Sequence, residues 1–158
     1  REFEKQAVKI GGGTNHRMGL YDMILVKDNH VDYAGTMEQA LENVADYLQK
    51  LGRDLPVVVE VRNSEEASAA MHSRKKWKKP SGAWLIDRLL LDNHTPEQTA
   101  MMVEQWGGEI PLEASGGITP ENARSYAEAG VDFVSMGWLT HSVKGMDFSL
   151  KSTAYFNA

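Results

Sequence analysis

Cysteine is absent from the 158 residues, so the chain has no disulfide framework, no thiolate nucleophile and no Cys-ligated zinc. A reducing compartment suits that composition. Positive charge is the scarcer sign, 17 Lys+Arg against 22 Asp+Glu for a formal net charge of −5. That balance argues against a nucleic-acid-binding module, whose electrostatic footprint is ordinarily basic. Long apolar runs are missing as well. None approaches the roughly 20 residues that span a bilayer, and the opening Arg1-Glu2-Phe3-Glu4-Lys5 lacks the apolar core of a secretory signal. Neither a membrane nor a nucleic acid is therefore an expected partner. The cytoplasm is the expected location, with an organelle as the alternative if a targeting segment lies upstream. With 42% hydrophobic and 25% charged residues the composition is that of an ordinary folded domain, which excludes disorder and collagen-like structure. We expect one domain over 1–158.

What is present is a rhythm. Short apolar, β-branched runs alternate with helical patterns, the signature of βαβ units around a parallel sheet. The runs are Met23–Val26, Pro56–Val61, Leu89–Leu91, Ile110–Ala114 and Val131–Met136; strands this apolar on both faces are buried strands. Between the first two, Met37, Ala40, Leu41, Val44, Ala45, Leu48 and Leu51 recur at helical spacing, with Thr36 and Gln39 as a capping box and Gly52 as terminator. Ser64 is placed to cap a helix beginning at Glu65. Thr95-Pro96-Glu97-Gln98 supplies an N-cap, a first-turn proline and a capping-box partner, and Thr119-Pro120-Glu121 repeats the device ahead of a helix that Gly130 stops. A closed eight-stranded barrel needs about 200 residues or more. The expected fold class is therefore α/β, an incomplete or open (βα) barrel of parallel strands. Arg74-Lys75-Lys76-Trp77-Lys78-Lys79 breaks the rhythm, and its five cations and one Trp suggest a solvated insertion.

In parallel α/β folds the functional groups gather where strands end, because the loops there share one mouth. Lys27-Asp28 closes the first run, Glu60 lies near the end of the second, Asp92-Asn93 ends the third and Ser115-Gly116-Gly117 the fourth. One βα unit later comes Gly137-Trp138-Leu139-Thr140-His141. Glycines at the last two strand ends let backbone N–H groups approach an anion, the pattern of a barrel phosphate cradle within reach of His141. Near the start, Gly11-Gly12-Gly13 lacks the preceding strand that a dinucleotide fingerprint requires. His16 and Arg17, with Lys27, form a cationic set suited to a small polyanionic acid. Glu60 and Asp92 suit a hard cation such as Mg²⁺, or alternatively ribose hydroxyls. Together these residues point to a metal-assisted reaction between a phosphorylated sugar and a small carboxylic acid.

The motifs then become specific. Gly11–Leu20, Leu25–His30, Val59-Glu60-Val61, Leu90-Leu91-Asp92-Asn93, Glu113–Ile118, Gly130–Phe133 and Gly137–Ser142 occur in the order and spacing of one family. Over nearly its whole length the chain resembles the C-terminal barrel domain of the quinolinate phosphoribosyltransferases (nicotinate-nucleotide pyrophosphorylase, carboxylating), a type II phosphoribosyltransferase barrel of TIM-like design. The resemblance implies transfer of phosphoribosyl from phosphoribosyl pyrophosphate to quinolinate, giving nicotinate mononucleotide, pyrophosphate and CO₂ in NAD biosynthesis, with Mg²⁺ as cofactor. It implies that His16, Arg17 and Lys27 bind the quinolinate carboxylates. Glu60 and Asp92 would serve the ribose hydroxyls and the metal, the latter through water, and with Lys27 would form the catalytic set. Ser115, Gly116, Gly117, Gly137, Trp138, Leu139 and His141 would hold the phosphate end.

The family also carries an N-terminal α/β domain and a first barrel strand with an Arg-Lys pair, and works as a homodimer or higher oligomer in which one subunit lends an Arg to the other. We expect this chain to begin just after those parts and to turn over poorly alone. The basic insertion lengthens the segment between Glu60 and Asp92 beyond the family's usual span. Three other readings stay open: a barrel of the same kind acting on a mono-carboxylate acceptor, a non-catalytic phosphosugar-binding module, and an aldolase-like barrel with Lys27 as Schiff base.

Overall fold

The computed structural model describes residues 1–151; the last seven positions of the expected domain lie outside the described residues. One five-stranded, wholly parallel sheet runs in chain order: β1 (Ile24–Val26), β2 (Val57–Val61), β3 (Arg88–Asp92), β4 (Leu112–Ser115) and β5 (Phe133–Val134). Seven helices accompany it among the described residues, α1 (Glu2–Ile10), α2 (Asp28–Ala34), α3 (Met37–Leu51), α4 (Ser64–Arg74), α5 (Pro96–Trp106), α6 (Ala123–Glu128) and α7 (Trp138–His141). The sheet's two edges, β1 and β5, do not pair with each other, so the expected open barrel is what forms.

Alternation within the strands sorts the two faces. Val57, Val59, Val61, Leu89, Leu91 and Leu112 face outward, and they bury against Leu41 and Leu48 of α3, Ala67, Ala70 and Met71 of α4 and Met102 of α5. Each fully buried Leu or Val contributes about 1.5–3 kcal/mol of transfer free energy. The small residues of α4 let it lie close to the sheet. Register aligns the inner face: Glu60 stands beside Leu90, Leu90 beside Glu113 and Glu113 beside Phe133, while Asp92 stands beside Ser115. Polar groups thus collect on the concave side because the period of a strand is two.

The caps behave as local chemistry requires, with corrections. Thr36 Oγ1 accepts from Gln39 N, and Gly52 closes α3 in the left-handed region at φ 67°. The reciprocal half of that capping box is absent because the Gln39 amide donates to Glu42 instead. The Thr95 and Gln98 box is complete. Asn63, not Ser64, caps α4, its Oδ1 accepting from Glu66 N at 2.9 Å. Thr119 does not cap α6: its own N–H donates to Asn122 Oδ1, and a turn precedes the helix. At α4 the Asn one residue earlier takes the capping position, as its side-chain oxygen suits it to do.

The basic insertion is only partly solvated: Lys75, Lys76 and Lys78 are exposed, while Trp77 and Lys79 turn inward. Trp77 packs on the core, and Lys79 is 6% exposed, its Nζ 2.6 Å from an Asp87 oxygen that also accepts from Val57 N. Lys78 lies over the Trp84 ring, and Lys76 pairs with Glu38 at 2.7 Å. Long alkyl stems and a Trp cover apolar surface while the charges find partners. Three helices were not legible in advance: α1, α2 and the single-turn α7. α1 buries no residue and rests on Glu2 and Glu4 in its first turn and Lys9 in its last, so Gly11, Gly12 and Gly13 are the end of a helix, where Gly12 has φ 86°. α2 opens with the Lys27 N–H donating to His30 Nδ1, a capping residue outside the usual set.

Candidate active site

The ends of all five strands open onto one cavity of about 650 Å³, large enough for a substrate pair. Lys27, Glu60, Asp92, Ser115, Gly116 and Gly117 line it from the strand ends, Gly137, Trp138, Leu139 and His141 from the α7 region, and His16 from the α1–β1 connection. Every residue expected at the site but one therefore meets there. The exception is Arg17, which lies on a separate groove beside β1 with Leu20, Met23 and Tyr47. Its Nη1 makes a long 3.4 Å hydrogen bond to the Met23 carbonyl.

Glu60 is 7% exposed, and its nearest cation is Lys27 Nζ at 3.9 Å. Burial pushes its carboxyl above the ordinary value, Lys27 offsets part of that, and the negative charge of Asp92 pushes it up again. The mouth is thus short of positive charge. Glu60 and Asp92 are hard oxygen donors on neighbouring strands facing one cavity, the donor set with which proteins hold Mg²⁺ through one or two carboxylates, waters and substrate phosphates. Among the described residues no third His, Asp or Glu completes an all-protein cage. The residues fit a magnesium ion that shares its coordination with a phosphorylated substrate.

The glycines are there for space. Gly116 has φ 95°, and a Cβ on it would run into the Asn93 side chain. Asn93 itself occupies the left-handed region at φ 54°, the one non-glycine to do so among the described residues. Its Nδ2 donates to Asp92 Oδ2 at 2.8 Å. Strain of this kind gathers at binding sites, and here it locks the Asp92 loop against the Ser115–Gly117 loop. The next turn is pinned from behind, where Tyr126 donates its hydroxyl to the His94 carbonyl at 3.0 Å. At Gly137 a Cβ would approach His141 Nε2 to 3.0 Å, so a glycine lets the imidazole close over the chain.

Beneath the mouth lies a carboxylate that the residue pattern did not single out. Glu113 is 1% exposed. Arg88 Nη1 donates to its Oε2 at 2.8 Å, Ser135 donates to its Oε1, and His16 Nε2 stands 3.4 Å from the same oxygen. Burial pushes Glu113 up, and the approach of His16 with the bonds from Ser135 and Arg88 brings it down to about 2. A charged residue facing inward in an otherwise apolar strand was the available signal. Lys5 and Val8 of α1 also line the cavity and carried no signal at all.

Comparison with known proteins agrees with this geometry. The family model for "Quinolinate phosphoribosyl transferase, C-terminal domain" matches residues 1–151. The chain is 39% identical over 155 residues to the chloroplastic nicotinate-nucleotide pyrophosphorylase (carboxylating) of Arabidopsis thaliana, covering 96% of this chain and 44% of the relative. It is 36% identical over 156 residues to a probable nicotinate-nucleotide pyrophosphorylase (carboxylating) of Archaeoglobus fulgidus, covering 96% and 54%. Among solved structures, NadC from Streptococcus pyogenes superposes with a TM-score of 0.78 at 34% identity, covering 96% of this chain and 48% of that one. The nicotinate-nucleotide pyrophosphorylase of Francisella tularensis gives 0.74 at 35%, covering 89% and 45%. The chain spans about half the length of the relatives it matches. Fold, strand-end chemistry and likeness across nearly the whole chain converge, and the chain belongs to the quinolinate phosphoribosyltransferase family, as its C-terminal domain.

Proposed function

We propose that this domain is the catalytic half of an enzyme that moves phosphoribosyl from phosphoribosyl pyrophosphate to the ring nitrogen of quinolinate. The bond from the ribose anomeric carbon to pyrophosphate breaks and a carbon–nitrogen bond forms. The 2-carboxylate then leaves as CO₂, its electron pair passing to the cationic ring, and a proton takes its place. The product is nicotinate mononucleotide. The observation that carries the reading is one cavity lined by His16 and Lys27 together with Glu60 and Asp92, with Lys27 Nζ 3.9 Å from Glu60.

Each group has work in that scheme. His16 and Lys27 meet the carboxylates of the acid, and Arg17, adjacent to His16 and held by one long bond, joins them by exchanging the Met23 carbonyl for a carboxylate. Departure of pyrophosphate leaves positive charge on the sugar, which Glu60 and Asp92 stabilise as fixed anions in a partly dry site. Bound at Glu60 and Asp92, Mg²⁺ supplies charge neutralisation for the leaving group. Ser115, Gly116, Gly117, Gly137 and His141 surround the phosphate, with Trp138 and Leu139 walling the cavity. No protein nucleophile is needed, which suits a chain without cysteine. The partners are quinolinate and phosphoribosyl pyrophosphate, and a homodimer or higher homo-oligomer is the working form.

The test supplies the complete protein with phosphoribosyl pyrophosphate and Mg²⁺ and follows pyrophosphate and CO₂ together, with quinolinate or nicotinate as acceptor. Equal release of both products from quinolinate alone is expected. Pyrophosphate from nicotinate without CO₂ would move the assignment to a mono-carboxylate acceptor, and no release with either would leave a phosphosugar-binding module.

A further inference from the structure

Glu113 is more deeply buried than Glu60, the other buried carboxylate of the inner face, and no step of the proposed transfer uses it. An ionised carboxylate out of water is costly unless it is paired and hydrogen-bonded. Arg88 at 2.8 Å and the Ser135 hydroxyl already satisfy that need. A third group nevertheless converges on it. His16 comes from the connection between α1 and β1, far from Glu113 in sequence, and its Nε2 is buried with no hydrogen-bond partner among the described residues. Glu113 Oε1 lies 3.4 Å from that nitrogen, outside hydrogen-bond geometry but close enough to attract it. The same imidazole lines the cavity.

We propose that Glu113 is a positioning residue that acts through His16, holding the ring by Nε2 so that its opposite edge faces the acceptor acid. The proposal rests on the transfer reading for what His16 then touches. The geometry gives the two donors on this carboxylate a purpose: Arg88 from β3 and Ser135 from just beyond β5 fix it from both sides, so that it cannot follow His16 when the ring moves. A histidine so held is oriented before substrate arrives, as an imidazole tied at one nitrogen by an outer carboxylate has its other nitrogen aimed. Phe133 shares the row and lies under the Arg88 guanidinium at 3.8 Å, which steadies the Arg88 side of the pair.

The experiment is a double-mutant cycle in the complete protein with His16→Ala, Glu113→Gln and the pair, read as KM for quinolinate and kcat. Glu113→Gln alone is expected to raise KM about tenfold, the lower end of what removing an outer carboxylate behind a ligating imidazole costs, and to change kcat less. In the His16→Ala background it is expected to add nothing to KM. Equal losses in both backgrounds would overturn the proposal and leave Glu113 a structural ion pair with Arg88. Should Glu113→Gln fail to fold, Ser135→Ala keeps the Arg88 pair, frees the carboxylate on its Oε1 side, and enters the same cycle with the same two outcomes. A readout independent of turnover is the nitrogen spectrum of the His16 ring. We expect its Nε2 signal to shift on Glu113→Gln or Ser135→Ala, and an unchanged signal would overturn the proposal. If the complete protein does not act on quinolinate, the transfer reading fails while the ring spectrum still decides the role of Glu113.

Discussion

Glu60 and Glu113 are the same residue type on one inner-face row, two strands apart, with Leu90 between them. Burial pushes both carboxyls up. Glu60 meets one cation, Lys27 at 3.9 Å, together with the like charge of Asp92, and stays above its ordinary value. Glu113 meets His16, Ser135 and Arg88 and falls to about 2. The number of donors that reach the carboxylate, not its depth, sets the direction. A mouth left short of positive charge attracts a cation, whether a metal or a sugar carbon losing its leaving group. A carboxylate fixed by two donors has no call on a further cation from solution and can hold its neighbours still.

The comparison breaks most visibly at the mouth. Asp92→Asn and Glu60→Gln are each expected to lower kcat of the complete protein by about 10²- to 10³-fold, the usual loss when one preorganised electrostatic group is removed. Steady-state assay at saturating substrates checks this. Because Glu60 is held charged at a cost, Glu60→Gln is also expected to melt no earlier than the native protein, a stability gain traded against activity. The floor responds in the opposite sense. Glu113 has a lowered value when folded, so the stability it contributes is fully present above its ordinary 4.5 and drains away as pH falls toward about 2. Denaturant midpoints followed over that window are expected to fall steeply in the native protein and more gently in Glu113→Gln. Gly116→Ala sharpens the comparison from the side, since it forces φ 95° on a residue with a Cβ and drives that Cβ into Asn93. A loss of about 1–3 kcal/mol in unfolding free energy is expected, together with weaker phosphoribosyl pyrophosphate binding. The smallest effect belongs to a site remote from both carboxylates: Thr95→Ala removes the α5 cap and costs about 1 kcal/mol with kcat unchanged.

Much of this was legible in the residues. The five strands announce themselves as apolar runs and α3 as a periodic stripe, because burial on one side and water on the other leave a period in the sequence, while α5 is marked by its Thr95-Pro96-Glu97-Gln98 start. The strand-end groups Lys27, Glu60, Asp92 and Ser115 followed from the architecture, since parallel strands bring their ends to one mouth. What escaped was whatever depends on a partner distant in sequence. Glu113 and Arg88 are joined across neighbouring strands; a charge in an apolar strand marks Glu113, but its partner is not legible locally. α1 buries nothing, so no stripe betrays it. The run from Arg74 to Lys79 reads as solvated until Asp87, Glu38 and Trp84 are seen to take up its charges. Arg17 is adjacent to His16 in the chain and shares a small pocket with it, yet only His16 lines the main cavity while Arg17 lies on the groove beside β1.

The most direct measurement is a carbon NMR titration of the glutamate side-chain carboxyls in the complete protein, with Glu60→Gln and Glu113→Gln used to assign the two signals. Glu60 is expected to take up its proton at a pH above the ordinary 4.5 while Glu113 stays ionised down to about 2 or to acid unfolding. Two coincident titrations, or the reverse order, would contradict it.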